Sequence, residues 1–277
     1  MANSEQNTNA TVSFCQEKWN QFLDRVGDDP ERLWVFGTVV LIFIIYWLYA
    51  AVLTFVDLTK KPHFVRKYKL QPGKNNPVDT KRLLPALRVV LFNQTFVAIP
   101  LAYGLYHFVY KYQNTQDIRI LPSIQQIVFD LALCCILEEI IFYYGHRLLH
   151  YGALYKYIHK KHHEWTSPIA VVAHYCHPIE HILANTFPIA LSLGVVRAHL
   201  ATGWIFFAIA TYNILSDHAG YAFPWSLISV PFHDYHHATF NYNYGVYGWL
   251  DRLHGTYGAY DKSGQIEPQH RPAQKQK

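Results

Sequence analysis

The sequence predicts an all-α integral membrane protein, a bundle of about four or more transmembrane or re-entrant helices capped on its cytosolic side by a histidine-rich helical domain. Three observations predict it. Only 16% of the 277 residues are charged and 51% are hydrophobic, against roughly 25% charged in an average soluble domain. Residues 33–55 form an apolar run without a single charge. Eight histidines fall into groups spaced three and four residues apart, each beside an apolar segment.

Residues 1–32 are polar and acid-leaning, and read as a mobile tail or a short surface helix. The run at 33–55 would reach roughly 34 Å as a helix, enough to cross a hydrocarbon core of about 30 Å. It begins only after the polar stretch, so it reads as an internal anchor rather than a signal peptide. Residues 57–85 bring Lys60, Lys61, Arg66, Lys67, Lys69, Lys74, Lys81 and Arg82. The positive-inside bias places this loop in the cytosol and the N-terminus in the lumen. A second apolar segment at 86–109 returns the chain to the lumen, and a third at 124–143 brings it back. Residues 179–215 hold two shorter apolar stretches separated by Arg197-Ala198-His199, which suit a tilted hairpin or a re-entrant pair. The chain thus divides into a polar tail (1–32), membrane segments with the basic loop (33–123), a histidine-bearing domain (124–262) and a polar C-terminal tail (263–277). Cys15, Cys134, Cys135 and Cys176 show no framework spacing and read as small hydrophobes. No nucleic-acid-binding motif occurs.

His146 and His150 are spaced i, i+4, whereas His159, His162, His163 and again His233, His236, His237 are spaced i, i+3, i+4. On a helix, each group would share one face. The topology drawn from lysines and arginines delivers all three groups to the cytosolic side. Solvated histidines at a headgroup surface are the plain alternative, but protonated rings repel one another, whereas a metal favours neutral imidazole. Eight ligands exceed one tetrahedral site, so the pattern reads as a dinuclear centre. Imidazole suits iron and zinc alike, and spacing leaves both open. His218 ends the returning apolar stretch at the height of the site and reads as a ninth ligand. His174, His177, Glu180, Asp234 and His254 are candidates for ligands or for groups that hold a ligand's other ring nitrogen. Glu138 and Glu139 end an apolar span, where Arg147 offers a partner.

On the His146/His150 pair, the two HxxHH groups and the run His177-Pro178-Ile179-Glu180, the chain resembles the fatty acid hydroxylase/sterol desaturase superfamily of membrane di-iron oxygenases. The resemblance covers roughly residues 125–260. The stretches AHYCHPIEHILAN (173–185), SDHAGYAFPW (216–225) and FHDYHHATFNYNYGVYGWLDRLHGTYGAY (232–260) are similar to the branch containing sterol C-4 methyl oxidases. The resemblance implies an endoplasmic-reticulum enzyme with two iron ions, held by the eight box histidines and His218, that oxidises the 4-methyl group of a sterol precursor with dioxygen. Zinc can take the place of iron in a purified sample. No HPGG motif of a fused haem domain occurs, so electrons are expected from NAD(P)H through cytochrome b5 and its reductase. Lys156, Lys160 and Lys161 suit the docking of an acidic partner. Two other readings stand beside this one. The first is a hydroxylase or desaturase of a fatty acyl or sphingoid lipid, and the second is a non-catalytic membrane scaffold containing metal.

Overall fold

Apolar runs of this length can satisfy their backbone only as helices when water is absent, and helices are what form. The computed structural model describes residues 2–113 and 117–260, with side chains from Phe14 onward except that of Gln113, so the 263–277 tail lies outside the described residues. An isolated antiparallel bridge joins Lys69 to Tyr221. In chain order the main helices are α1 (Ala2–Val26), α2 (Pro30–Thr59), α3 (Thr80–Tyr110), α4 (Ile124–Leu149), α5 (Gly152–Tyr157), α6 (Pro178–Val196), α7 (Leu200–Asp217), α8 (Val230–Thr239) and α9 (Trp249–His254).

Three of them, α2, α3 and α6, are long and apolar enough to cross a membrane by length and composition. The expected third span, α4, is a helix of 26 residues but is not among the three. Asp130, Glu138 and Glu139 interrupt its apolar face, and all three are buried within the protein. The 179–196 stretch, expected to be short, gains a first turn from Pro178 and reaches 19 residues. A left-handed Arg197 (φ 57°) then turns the chain into α7.

The polar N-terminal segment is not a free tail. It forms α1, whose second half docks through Leu23, fully buried, and through Trp19, which donates from Nε1 to Ile118 O at 2.8 Å. Arg119 pairs with Asp24 at 2.9 Å and Asp28 at 2.6 Å. Trp19 also meets His199 and Trp204 edge-on. The N-terminal helix, the 117–121 link and the α6–α7 turn therefore gather at one end of the bundle.

The basic loop folds at the other end. Lys69 Nζ meets Asp57 Oδ1 at 2.7 Å, both side chains almost wholly buried, and Tyr221 donates to the same oxygen at 2.8 Å. Arg82 donates to Glu164 O at 3.0 Å and lies over the Trp165 ring. Two of the loop's cations are thus structural. Beneath it, Tyr46, Leu53, Val90, Ile169 and Tyr221 belong to one apolar core, while Leu33, Trp34, Ile189, Leu193 and Phe206 belong to a second core toward the α1 end.

Helix α4 packs along α6, and α2 packs along α7. The second pair interlocks through two glycines. A Cβ on Gly37 would lie 2.7 Å from the Trp204 ring, and one on Gly203 would lie 2.9 Å from the Trp34 ring. Each glycine thus makes room for the other helix's tryptophan, and close packing of this kind supplies helix association where lipid is as apolar as the side chains. Gly203→Val is expected to cost about 1–3 kcal/mol by overpacking. A thermal-shift measurement on the purified protein in detergent should show a lowered Tm, and an unchanged Tm would contradict the interlock.

Candidate metal centre

Nine histidines converge at the basic-loop end, in two groups. His146, His150, His159, His163 and His236 form one, and His162, His218, His233 and His237 form the other. Within each group the facing ring nitrogens lie within 4.8 Å of one another, so each could hold a metal ion. His146 sits in the last turn of α4 and His150 caps that helix. His218 caps α7.

The two HxxHH triplets do not present a single face. His159 and His163 join the five-membered group, while His162 between them joins the other. In α8 the pattern is inverted, because His233 and His237 serve the four-membered group and His236 serves the five-membered one. In α8 the α-helical repeat sets His233 and His237 about 40° apart around the axis and turns His236 about 100° away from His237. The first triplet also lies in a 3₁₀ turn (His159–Glu164) rather than the expected α-helix, with about three residues per turn.

The ring nitrogens that face away from the groups determine what the inward ones carry. His146 Nδ1 donates to Tyr244 O at 2.8 Å, His236 Nδ1 to Tyr242 O at 2.6 Å and His218 Nδ1 to Ile214 O at 2.7 Å. His162 Nδ1 reaches Tyr175 O at 3.4 Å. A carbonyl oxygen only accepts, so these Nδ1 atoms carry the proton and each neutral ring turns a bare Nε2 lone pair inward. His218 Nε2 and His162 Nε2 are then 3.1 Å apart with a lone pair on each. Such a pair repels unless a cation lies between.

The spacing also bears on coordination. Nitrogens about 2.1 Å from a shared metal stand about 3.0 Å apart at right angles and about 3.4 Å apart at the tetrahedral angle. In the five-membered group the Nε2 contacts run from 2.9 Å for His159 to His150 up to 3.3 Å for His163 to His150. In the four-membered group His218 and His237 each lie 3.1 Å from His233. These values fall in the range expected of nitrogens that share one metal ion. Burial, and then the neighbouring imidazoles, push His150, His163, His236 and His237 well below the ordinary histidine range, and burial alone takes His159 to about 3. Neutral rings are what metal binding requires.

Glu180, fully enclosed, places Oε1 2.9 Å from His159 Nδ1 and 4.0 Å from His162 Nδ1; the shorter contact is bent away from a linear hydrogen bond. Four other candidates sit elsewhere. Asp234 accepts from Gln71 at 3.0 Å and Tyr260 at 2.6 Å, so its carboxylate ties down the basic loop and the chain after α9. His177 caps the start of α6, accepting from Ile179 N at 3.2 Å. His254 is exposed at the end of α9, in contact with Tyr144 OH at 3.0 Å. His174 belongs to neither group and lines a neighbouring cavity. Adjacency in sequence to a histidine box thus misplaces Asp234, because successive residues of a helix point in different directions.

Glu138 and Glu139 do not pair with Arg147, which donates to Tyr143 OH instead. Glu139 accepts from the backbone of Val246 at 2.6 Å, Tyr247 at 2.8 Å and Gly248 at 3.1 Å. Asp251 accepts from Tyr244 N and Gly245 N. Together they hold the loop whose carbonyls orient His146 and His236. The approach requires glycine at 245, where a Cβ would stand 2.5 Å from Glu139 Oε1.

Two cavities adjoin the histidines. One is lined by His146, His159, His162, His218, His233, Glu138 and Asp217. The other is apolar, lies between α2, α3, α6 and α7, and shares Asn185, Ile189 and Ile214 with the first. Its volume of about 80 Å³ is well below the roughly 300 Å³ at which ligand pockets begin, so helices or side chains must part to admit a lipid. Glu180→Ala is expected to weaken metal binding by roughly 10–100-fold, read as metal lost by elemental analysis after dialysis against a graded chelator series. Asp234→Asn should leave retention unchanged, and equal losses from both would contradict the geometry.

The family profile for fatty acid hydroxylases matches residues 131–256. Fatty acid hydroxylase domain-containing protein 2 of Macaca fascicularis is 42% identical over 247 residues, covering 89% of this chain and 74% of the relative. Methylsterol monooxygenase 1 of Rattus norvegicus is 30% identical over 251 residues, covering 86% and 81%. Fatty acid hydroxylase ahd1 of Mycosarcoma maydis is 33% identical over 240 residues, covering 86% and 60%. No solved structure matches the chain. With its apolar helices, its converging histidines and these relatives, the chain belongs to the fatty acid hydroxylase family of lipid-oxidising membrane oxygenases.

Proposed function

We propose that the chain is an endoplasmic-reticulum monooxygenase that holds one iron ion in each histidine group and oxidises a lipid C–H bond, with the 4-methyl group of a sterol precursor as its substrate. The observation that carries the reading is the lone-pair contact between His162 and His218 at 3.1 Å, since a bound cation makes it favourable, together with the close approach of ring nitrogens throughout both groups. Iron bound there would supply the dioxygen activation that an unactivated C–H bond demands. The substrate rests on relatives named methylsterol monooxygenase.

The chain's own residues orient and enclose. Tyr242 O, Tyr244 O and Ile214 O hold His236, His146 and His218 so that each presents Nε2, and Glu180 lies 2.9 Å from His159 Nδ1. Asn185, Ile189 and Ile214 join the apolar cavity to the histidine cavity, a route by which hydrocarbon reaches the metals without crossing water. The lysine-rich loop supports a cytosolic histidine end and a lumenal N-terminus. Exposed Lys156 and Lys160 suit an acidic electron carrier, cytochrome b5 with its NAD(P)H-dependent reductase.

A second reading, hydroxylation or desaturation of a fatty acyl or sphingoid lipid, is favoured by the relative named fatty acid hydroxylase. A metal-containing scaffold is disfavoured because all nine histidines stand in place. Reconstitution with iron, cytochrome b5 and its reductase, followed by mass spectrometry of 4-methylsterols beside acyl and sphingoid lipids, tests the proposal. Oxidised 4-methylsterol is the expected product. Product from acyl or sphingoid lipids alone would replace the substrate, and no product from an iron-loaded protein would sink the oxygenase reading. His236→Ala combined with His237→Ala removes one ligand from each group and should reduce turnover to background with loss of bound metal.

A further inference from the structure

The apolar cavity has one polar wall that the chemistry above does not use. Gln94, His174, His181 and Asn185 line it, and Asn185 also lines the histidine cavity. His174 is 7% exposed and His181 is 3% exposed. Polar side chains buried among apolar helices are costly unless paired.

Their hydrogen bonds determine which atoms remain free. Trp47 Nε1 can only donate, and it reaches Gln94 Oε1 at 2.8 Å. The Gln94 amide nitrogen is thereby turned toward His174 Nδ1, 3.1 Å away, and donates to it. A neutral His174 must then carry its proton on Nε2. Cys176 Sγ donates to His174 O at 3.7 Å and so accepts from Asn185 Nδ2 at 3.5 Å. The same amide nitrogen lies 3.3 Å from His181 Nδ1 and donates to it, which leaves the His181 proton on Nε2 as well. The two rings are 4.8 Å apart. Among the described residues, no group accepts from either Nε2, and none donates to Asn185 Oδ1.

A second observation concerns the backbone. Four π-type turns interrupt α2, α3 and α6: Leu33–Gly37, Asn93–Val97, Tyr106–Tyr110 and His181–Thr186. Every one supplies a wall residue of this cavity, namely Trp34, Gln94, Tyr110, and His181 with Asn185. Such bulges disturb helix hydrogen bonding and gather at functional sites.

No Lys, Arg, Asp or Glu lines the cavity, so a carboxylate or phosphate would be buried there without a counter-charge. Two N–H donors and one carbonyl acceptor instead match a hydroxyl group, which accepts and donates. We infer that His174, His181 and Asn185 bind the hydroxyl of a neutral lipid alcohol and hold it at the junction with the histidine cavity. Binding of the alcohol stands on these contacts alone. That the oxidised carbon lies close to the hydroxyl-bearing carbon rests on the oxygenase reading.

The test is equilibrium binding to the full chain in neutral-phospholipid nanodiscs. Two probe pairs are used, a 4-methylsterol with its 3-deoxy hydrocarbon and octadecanol with octadecane. At least one alcohol is expected to bind about tenfold more tightly than its deoxy partner, the scale of one or two buried hydrogen bonds. His181→Phe and Asn185→Leu should each reduce that preference to less than about twofold, with bound metal unchanged, while His181→Gln, which keeps a donor, should retain most of it. No alcohol preference in the wild-type protein, or a preference that survives both apolar variants, would overturn the inference. A clear preference without turnover on reconstitution removes the oxygenase reading alone, and turnover without a preference removes this inference alone.

Discussion

Nine neutral imidazoles packed nitrogen to nitrogen are the constraint on which the rest of this structure depends. Protonated, the rings would repel as cations in a medium that screens them poorly. Neutral and empty, they would repel through their lone pairs. Where a ring's outer nitrogen carries the proton, its inner nitrogen presents a bare lone pair that a cation would satisfy, and that orientation comes from outside the groups. Three backbone carbonyls at 2.6–2.8 Å, from Tyr242, Ile214 and Tyr244, provide it for three of the rings.

Those carbonyls need anchoring in turn. Glu139 on α4 collects three backbone amides of the 246–248 segment, and Asp251 collects two more. A buried carboxylate held by amides needs no cation beside it, which explains why Arg147 is free to contact Tyr143. Glu139, one of the charges that keep α4 from reading as a plain membrane span, is thus also a residue that fixes the loop over the candidate metal centre. On the opposite flank Asp57 and Lys69 secure the basic loop, and Asp234 ties the same loop to Tyr260 through Gln71.

Much of this was legible in the chain. The apolar runs give the helices, and the histidine spacing gives the boxes, because both signals are periodic. What the spacing does not reveal is how a triplet divides, since His162 and His236 each leave their own box for the other group. The carbonyls of Tyr242 and Tyr244 are invisible for a simpler reason, in that any residue carries one and only the folded loop aims it. Asp234 and His254 look functional by proximity, yet their side chains point to Tyr260 and Tyr144. The segment before α2 looks like a tail because most of it is polar; three residues, Trp19, Phe22 and Leu23, attach it to the core.

The crossed division of the boxes has a mechanical consequence. A one-residue slip in either triplet would move ligands out of both groups at once, and ordering either segment around one ion pre-shapes the nitrogens awaiting the other. The two candidate metal positions would therefore be assembled as one unit rather than as two independent sockets. Partial loading would leave strained, half-organised backbone in both segments, so fully empty and fully loaded chains are the forms this architecture favours.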